Sequence, residues 1–149
     1  MRTKEKLIQH LLSLVEEKIN TAKAEIDSAR EAKQNETKSS AGDKYETSRE
    51  MMTQEIEKHS KSLADSEQQK SILLRITALK SSAQIELGSL VETNQGNYFL
   101  AVGMGNIQIE DIPIQTISIQ SPIGKHMLRK YKGDTFSFKD RIFKIIKVV

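Results

Sequence analysis

Two carboxylates three positions apart, Asp43 and Glu46, follow directly on Ser39-Ser40-Ala41-Gly42, a stretch of turn chemistry between two long helical patterns. At the start of a helix that spacing puts both side chains on one face, where they can point together. It is also the spacing of a capping box, in which Asp43 accepts from the helix backbone and Glu46 reaches back, with Ser40 as a second possible cap. A cap accounts for the spacing but not for the position at a turn. Around the pair stand Arg30, Lys33, Lys38, Lys44 and Arg49. They could contact phosphate, or be the solvated faces that are ordinary in helices rich in Lys and Glu. Tyr45, the one aromatic residue before residue 85, could stack on a base or lie along its own helix.

The remaining chemistry is sparse. There is no cysteine, which excludes disulfides, thiol catalysis and thiolate zinc sites and is compatible with a reducing compartment. His10, His59 and His126 have no metal-ligand spacing and are assigned no chemistry. Met51 and Met52 read as packing. No phosphate-binding glycine loop, nucleophile elbow or zinc motif is present.

The elements that must position the acidic pair are legible from periodicity. Apolar and small residues recur at Ile8, Leu12, Val15, Ile19, Ala22, Ile26 and Ala29 in steps of four and three, the seam of a coiled coil. The pattern stops after Lys33, and Gly42 can take the left-handed conformation of a helix end. It resumes at Met52, Ile56, His59, Leu63, Ser66, Lys70 and Leu73, with several polar seam positions. An antiparallel α-helical hairpin over residues 1–80, its tip near 36–50, follows. Arms of some 30 residues would each extend roughly 45 Å at about 1.5 Å per residue, so reach is the expected purpose of this element.

The rest, residues 81–149, reads as a small β domain, with six of the seven aromatic residues. Strands are expected over Ile85–Glu92, Tyr98–Val102, Ile112–Ile119, Thr135–Lys139 and Ile142–Val149, about five in all, with a hairpin turn at Thr93–Asn97. Ser121 before Pro122 predicts one short helix, capped by the serine and started by the proline. Most of the aromatics are expected to be core. The fold class is α+β. Net charge is +3, but residues 85–121 carry four acids and no Lys or Arg, whereas residues 122–149 carry eight Lys or Arg against Asp134 and Asp140. Either these are solvated faces or the basic part docks a charged partner. No signal peptide or membrane span is read at the N-terminus, so a cytoplasmic location is expected.

From Ile117 the chain reads I-S-I-Q-S-P-I-G-K-H-M-L-R-K-Y-K-G-D, which resembles the C-terminal domain of the Gre transcript-cleavage factors: a Ser-Pro-(Ile/Leu)-Gly turn, a short helix, then Gly-Asp before the closing hairpin. Those positions are Ser121, Pro122, Ile123, Gly124, Gly133 and Asp134. Val102-Gly103 also resembles the family, and Gly42-Asp43-Lys44-Tyr45-Glu46 is similar to its Gly-Asp-x-x-Glu tip. Two segments depart from the pattern. Met104–Asp111 stands where the family carries an acidic loop, and Thr47-Ser48-Arg49-Glu50 replaces its Asn-Ala-Glu-Tyr continuation, as in a divergent member.

The resemblance implies an FKBP-like antiparallel β domain that docks on RNA polymerase through Ser121, Pro122, Ile123 and Gly124, and a hairpin that enters the secondary channel of the polymerase. There Asp43 and Glu46 would help hold a second Mg²⁺, shared with the polymerase, while Arg30, Lys33, Lys38, Lys44, Tyr45 and Arg49 contact RNA or the channel. Mg²⁺ takes hard oxygen ligands and keeps several waters, so one or two carboxylates delivered from outside can complete such a site. The protein would then be no enzyme and hold no cofactor of its own. It would stimulate the nuclease activity of the polymerase on backtracked RNA, meeting the nascent 3′ end indirectly. A monomer without membrane contact is expected. Alternatives are a channel-binding regulator that does not stimulate cleavage, an FKBP-like peptidyl-prolyl isomerase or chaperone, and a coiled-coil adaptor.

Overall fold

A computed structural model describes residues 2–39 and 42–149; the side chains of residues 2, 36–39 and 43 are outside that description. Two long helices, α1 (Arg2–Ser39) and α2 (Asp43–Ala78), precede six strands and one short helix: β1 (Leu90–Thr93), β2 (Gly96–Ala101), β3 (Gly105–Ile109), β4 (Ile112–Ser118), α3 (Pro122–Met127), β5 (Thr135–Phe138) and β6 (Arg141–Val148). The α+β class is as expected. The chain divides into two compact units, Leu12–Lys70 and the combination of Met1–Leu11 with Ser71–Val149.

Within the first unit the helices pack along the expected seam. Val15, Ile19, Ala22 and Ile26 of α1 are buried, and Met52, Ile56, His59 and Leu63 of α2 are half-buried. Two polar seam positions are matched from the opposite helix: Lys70 donates to Glu16 at 2.9 and 3.1 Å, and His59 Nδ1 lies 2.6 Å from Glu25, while its Nε2 lies 3.1 Å from Glu55 one turn back on α2 itself. Among the described residues, nothing beyond Ile26 on α1 or before Ser66 on α2 is buried. The seam at the start of α1 differs from expectation. Leu11, not Leu12, takes the fully buried place, because Leu7, Ile8 and Leu11 belong to the unit that holds the sheet and the apolar stripe there must serve it too.

Because His59 sits on the seam with its side chain 17% exposed, a leucine there should help the hairpin. Exchanging a partly buried polar pair for an apolar seam contact is commonly neutral or stabilising. His59→Leu is expected to raise the melting temperature of the helical signal by about 4–8 °C, roughly 1 kcal/mol, followed by circular dichroism at 222 nm.

The second unit is built on a sheet of order β3-β4-β2-β1-β6-β5. All pairings are antiparallel except β2 with β4, which is parallel and corrects the expectation of a wholly antiparallel domain. A sixth strand is the other correction. No strand is expected between Val102 and Ile112, yet Gly105–Ile109 pairs with β4 across Glu110-Asp111, whose φ values of 50° and 66° are those of a two-residue hairpin turn. Lys139-Asp140 repeats that geometry between β5 and β6. The β1 to β2 turn falls where expected, and Asn94 ties it to β6 by accepting from Lys144 N at 2.7 Å and donating to Ile142 O at 3.1 Å.

One face of the sheet carries a core of Ile85, Val91, Tyr98, Leu100, Ile117, Met127, Phe136, Phe143 and Ile145. The other buries Phe99 and Ile114. Near this second face Lys4 Nζ donates to Val149 O at 3.3 Å and Lys6 pairs with Glu110. Burial lowers the pKa of Lys4, an effect that Glu86 partly offsets. Four of the six aromatics of this unit, Tyr98, Phe99, Phe136 and Phe143, are core as expected, whereas Tyr131 is exposed.

Candidate functional site

The residues singled out in the sequence fall into two groups, one in each unit. The first is the turn between α1 and α2. Gly42, at φ 82°, reverses the chain, and its carbonyl accepts from Tyr45 N at 3.1 Å and Glu46 N at 3.3 Å, which starts α2. Only glycine adopts that φ without strain. Asp43 is the first residue of α2, but its side chain, like that of Lys38 in the last turn of α1, lies outside the described residues, as does all of Ser40. Glu46 is exposed one turn into α2, and Arg30, Lys44 and Arg49 are exposed as well. Lys33 is half-buried.

Tyr45 has a partner on its own helix. Arg49 Nη1 donates to Tyr45 Oη at 2.7 Å, and the guanidinium lies 5.9 Å from the ring centroid. The pair is one helical turn apart and holds the ring along the helix. Arg49 is therefore engaged with Tyr45, whereas Glu46 keeps an exposed carboxylate.

The second group is Ser121–Gly124, and here the four residues divide by role. Ser121 caps α3: its Oγ accepts from Gly124 N at 3.1 Å and donates to Ser118 O at 2.6 Å. Gly124 is buried against the end of β4 with no room for a side chain. These two set the backbone. Pro122 and Ile123 instead line a cavity of ≈ 470 Å³ together with Tyr98, Gln115, Phe138, Lys139, Arg141 and Phe143. Three aromatic rings, an aliphatic side chain and a basic rim thus face one opening. Burial raises the pKa of the Tyr98 phenol, an effect that Arg141 partly offsets. His126 stacks on Phe136 at 5.9 Å and meets Phe138 edge-on at 5.5 Å, so it completes the aromatic cluster.

Sequence reading found Pro122 and Ile123 and missed the rest of this lining. The signals were present, in the crowding of aromatics after residue 97 and the basic skew after residue 122. What they lacked was the sheet order, which brings Gln115 of β4 and Arg141 of β6 to the same opening. A separate cleft of ≈ 360 Å³ is lined by Thr3, Leu90, Glu92, Asn97, Ile112, Ile114, Lys147 and Val149. Among the described residues no three His, Asp or Glu side chains are grouped to hold a metal ion, and no helix is long and apolar enough to cross a membrane. Compared with known protein families and with curated proteins, the chain matches none.

Proposed function

We propose that this protein is a transcription factor of the Gre type, which binds RNA polymerase, reaches into its secondary channel and stimulates cleavage of backtracked RNA. The observation that carries the reading is the exposed Glu46 carboxylate at the turn of a long helical hairpin, three residues from Asp43. Oxygen donors at a turn suit delivery to a site whose other ligands come from elsewhere. They do not suit a resident metal, for which two carboxylates are too few. Bound Mg²⁺ would supply charge stabilisation for phosphodiester hydrolysis. The part of this chain is to present Asp43 and Glu46 on one helical face and to hold the backbone there through the turn at Gly42.

Arg30, Lys33, Lys38 and Lys44 fit this reading as basic residues along the hairpin near RNA phosphates or the channel wall. In the second unit the cavity beside Pro122 and Ile123, with Lys139 and Arg141 at its rim, suits an apolar side chain on an acidic polymerase surface.

The test is a backtracked elongation complex from the host of this protein, with short 3′ RNA fragments as the readout. Wild type is expected to release them, and Asp43→Ala and Glu46→Ala to lose the stimulation by roughly 100-fold, the scale on which one transition-state contact acts. Binding without fragments from wild type would leave a channel-binding regulator, and absence of binding would end the transcription reading. A second reading, peptidyl-prolyl isomerase, is favoured by the cavity itself, since Tyr98, Phe138 and Phe143 give it the aromatic walls a proline ring requires. Acceleration of cis–trans exchange in a proline peptide, lost on Phe138→Ala, would support it.

A further inference from the structure

The two edges of the sheet are unlike. An edge strand presents a row of unpaired N–H and C=O groups, and proteins commonly guard it with charge or proline. At the β5 edge the strand is bracketed by Lys132 and Asp134 on one side and Lys139 and Asp140 on the other. The β3 edge is guarded at one end only, by Glu110 and Asp111 of its turn. From Thr93 to Ile109 the chain carries no charged residue and no proline, and β3 lies at the end of the sheet with β4 on one side only.

The side chains of β3 make that edge self-complementary. Its register with β4 puts Gly105, Ile107 and Ile109 opposite Thr116, Ile114 and Ile112, and Asn106 and Gln108 opposite Gln115 and Pro113. Alternation along the strand therefore sends the isoleucines to one face and the two carboxamides to the other. Asn106 and Gln108 are exposed, and Ile107 is half-buried. Antiparallel pairing of β3 with an identical strand about a two-fold axis at Ile107 would set Ile107 against Ile107, Asn106 against Gln108, and Gly105 against Ile109. Apolar meets apolar, and the carboxamides can donate to and accept from each other. Glu110 would fall beside Met104 of the second copy, so no like charges oppose.

We propose that two copies of this chain associate through their β3 strands, antiparallel and two-fold symmetric, to make one continuous sheet. Isologous pairing of this kind closes on itself and stops at a dimer. Five residues per strand supply only a handful of main-chain hydrogen bonds and an area below the roughly 1,000 Å² of a stable complex, so the dimer is weak and reversible. The proposal replaces the monomer expected from sequence and is independent of any role in transcription.

Sedimentation equilibrium on the full chain from about 10 µM to about 1 mM tests it, the range where small interfaces associate. The weight-average mass of wild type is expected to rise towards twice that of the chain. Two double variants at the exposed positions, Asn106→Lys with Gln108→Lys and Asn106→Glu with Gln108→Glu, should each remain monomeric, because the axis sets like charges against one another. An equimolar mixture of the two should form a heterodimer. A wild type that stays monomeric throughout, or a lysine variant that dimerises as wild type does, overturns the proposal. So does a mixture that gains no mass.

Discussion

Gly124→Ala is expected to cost the β unit about 3 kcal/mol and to lower its melting temperature by roughly 15 °C. The reason is space, not backbone torsion. A Cβ at Gly124 would sit deep inside van der Waals contact with the Ser118 carbonyl oxygen, 2.9 Å from Ser121 Oγ and 3.2 Å from Ile119 Cα. The first and third of these are main chain and cannot rotate aside. Ser118 O already accepts from Ser121 N at 3.1 Å and from Ser121 Oγ at 2.6 Å, so moving it breaks the bonds that join the end of β4 to the start of α3. Ser121→Ala separates the two contributions. It removes the cap and leaves the packing, and should cost only about 1 kcal/mol. Melts followed by near-ultraviolet circular dichroism report this unit, since all the aromatics except Tyr45 lie in it. If Gly124→Ala melts no lower than Ser121→Ala, the close approach is not what fixes this turn.

That turn also shows how far the sequence reads. Ser121 and Pro122 announced a helix start by residue type alone, and α3 begins there, because an N-cap is a local bargain between a side chain and the next two peptide groups. The role of Gly124 depends on how closely β4 approaches, which no local rule contains. The hairpin divides in the same way. Val15, Ile19, Ala22 and Ile26 follow from periodicity, but Leu11 is preferred to Leu12 only because the start of α1 belongs with the sheet.

Polar seam positions gave a similar mixture. His59 and Lys70 were placed on the seam by spacing, yet their partners across the hairpin, Glu25 and Glu16, depend on the register between the helices. β3 was illegible because glycine and asparagine argue for loop, and the pairing that overrides them comes from β4 and a turn of two non-glycine residues at positive φ. At the tip, Gly42 takes the left-handed conformation that its residue type allows, and Glu46 is exposed. The engagement of Tyr45 by Arg49 could have been read from their spacing of four.

Phe143→Ala is expected to be the most damaging single change in the chain, lowering the stability of the β unit by about 4 kcal/mol. Its ring is 3% exposed and is the hub of the aromatic cluster. It stacks on Phe136 at 4.9 Å and meets Tyr98 edge-on at 6.1 Å and Phe138 edge-on at 6.5 Å. Truncation removes these contacts and leaves a hole, because the neighbours are anchored on two other strands, Tyr98 on β2 and Phe136 and Phe138 on β5, and cannot close in. Phe143 also forms one wall of the ≈ 470 Å³ cavity, so loss of binding in this variant would by itself say nothing about the cavity. Phe138→Ala supplies the distinction. That ring is only half-buried, lines the same cavity and packs at the margin of the core, so its removal should cost about 1–2 kcal/mol and leave the unit folded at 25 °C. A folded Phe138→Ala protein that binds polymerase at least tenfold more weakly than wild type would assign the cavity to docking. Unchanged affinity would reduce the cluster to the core that Phe143 holds together.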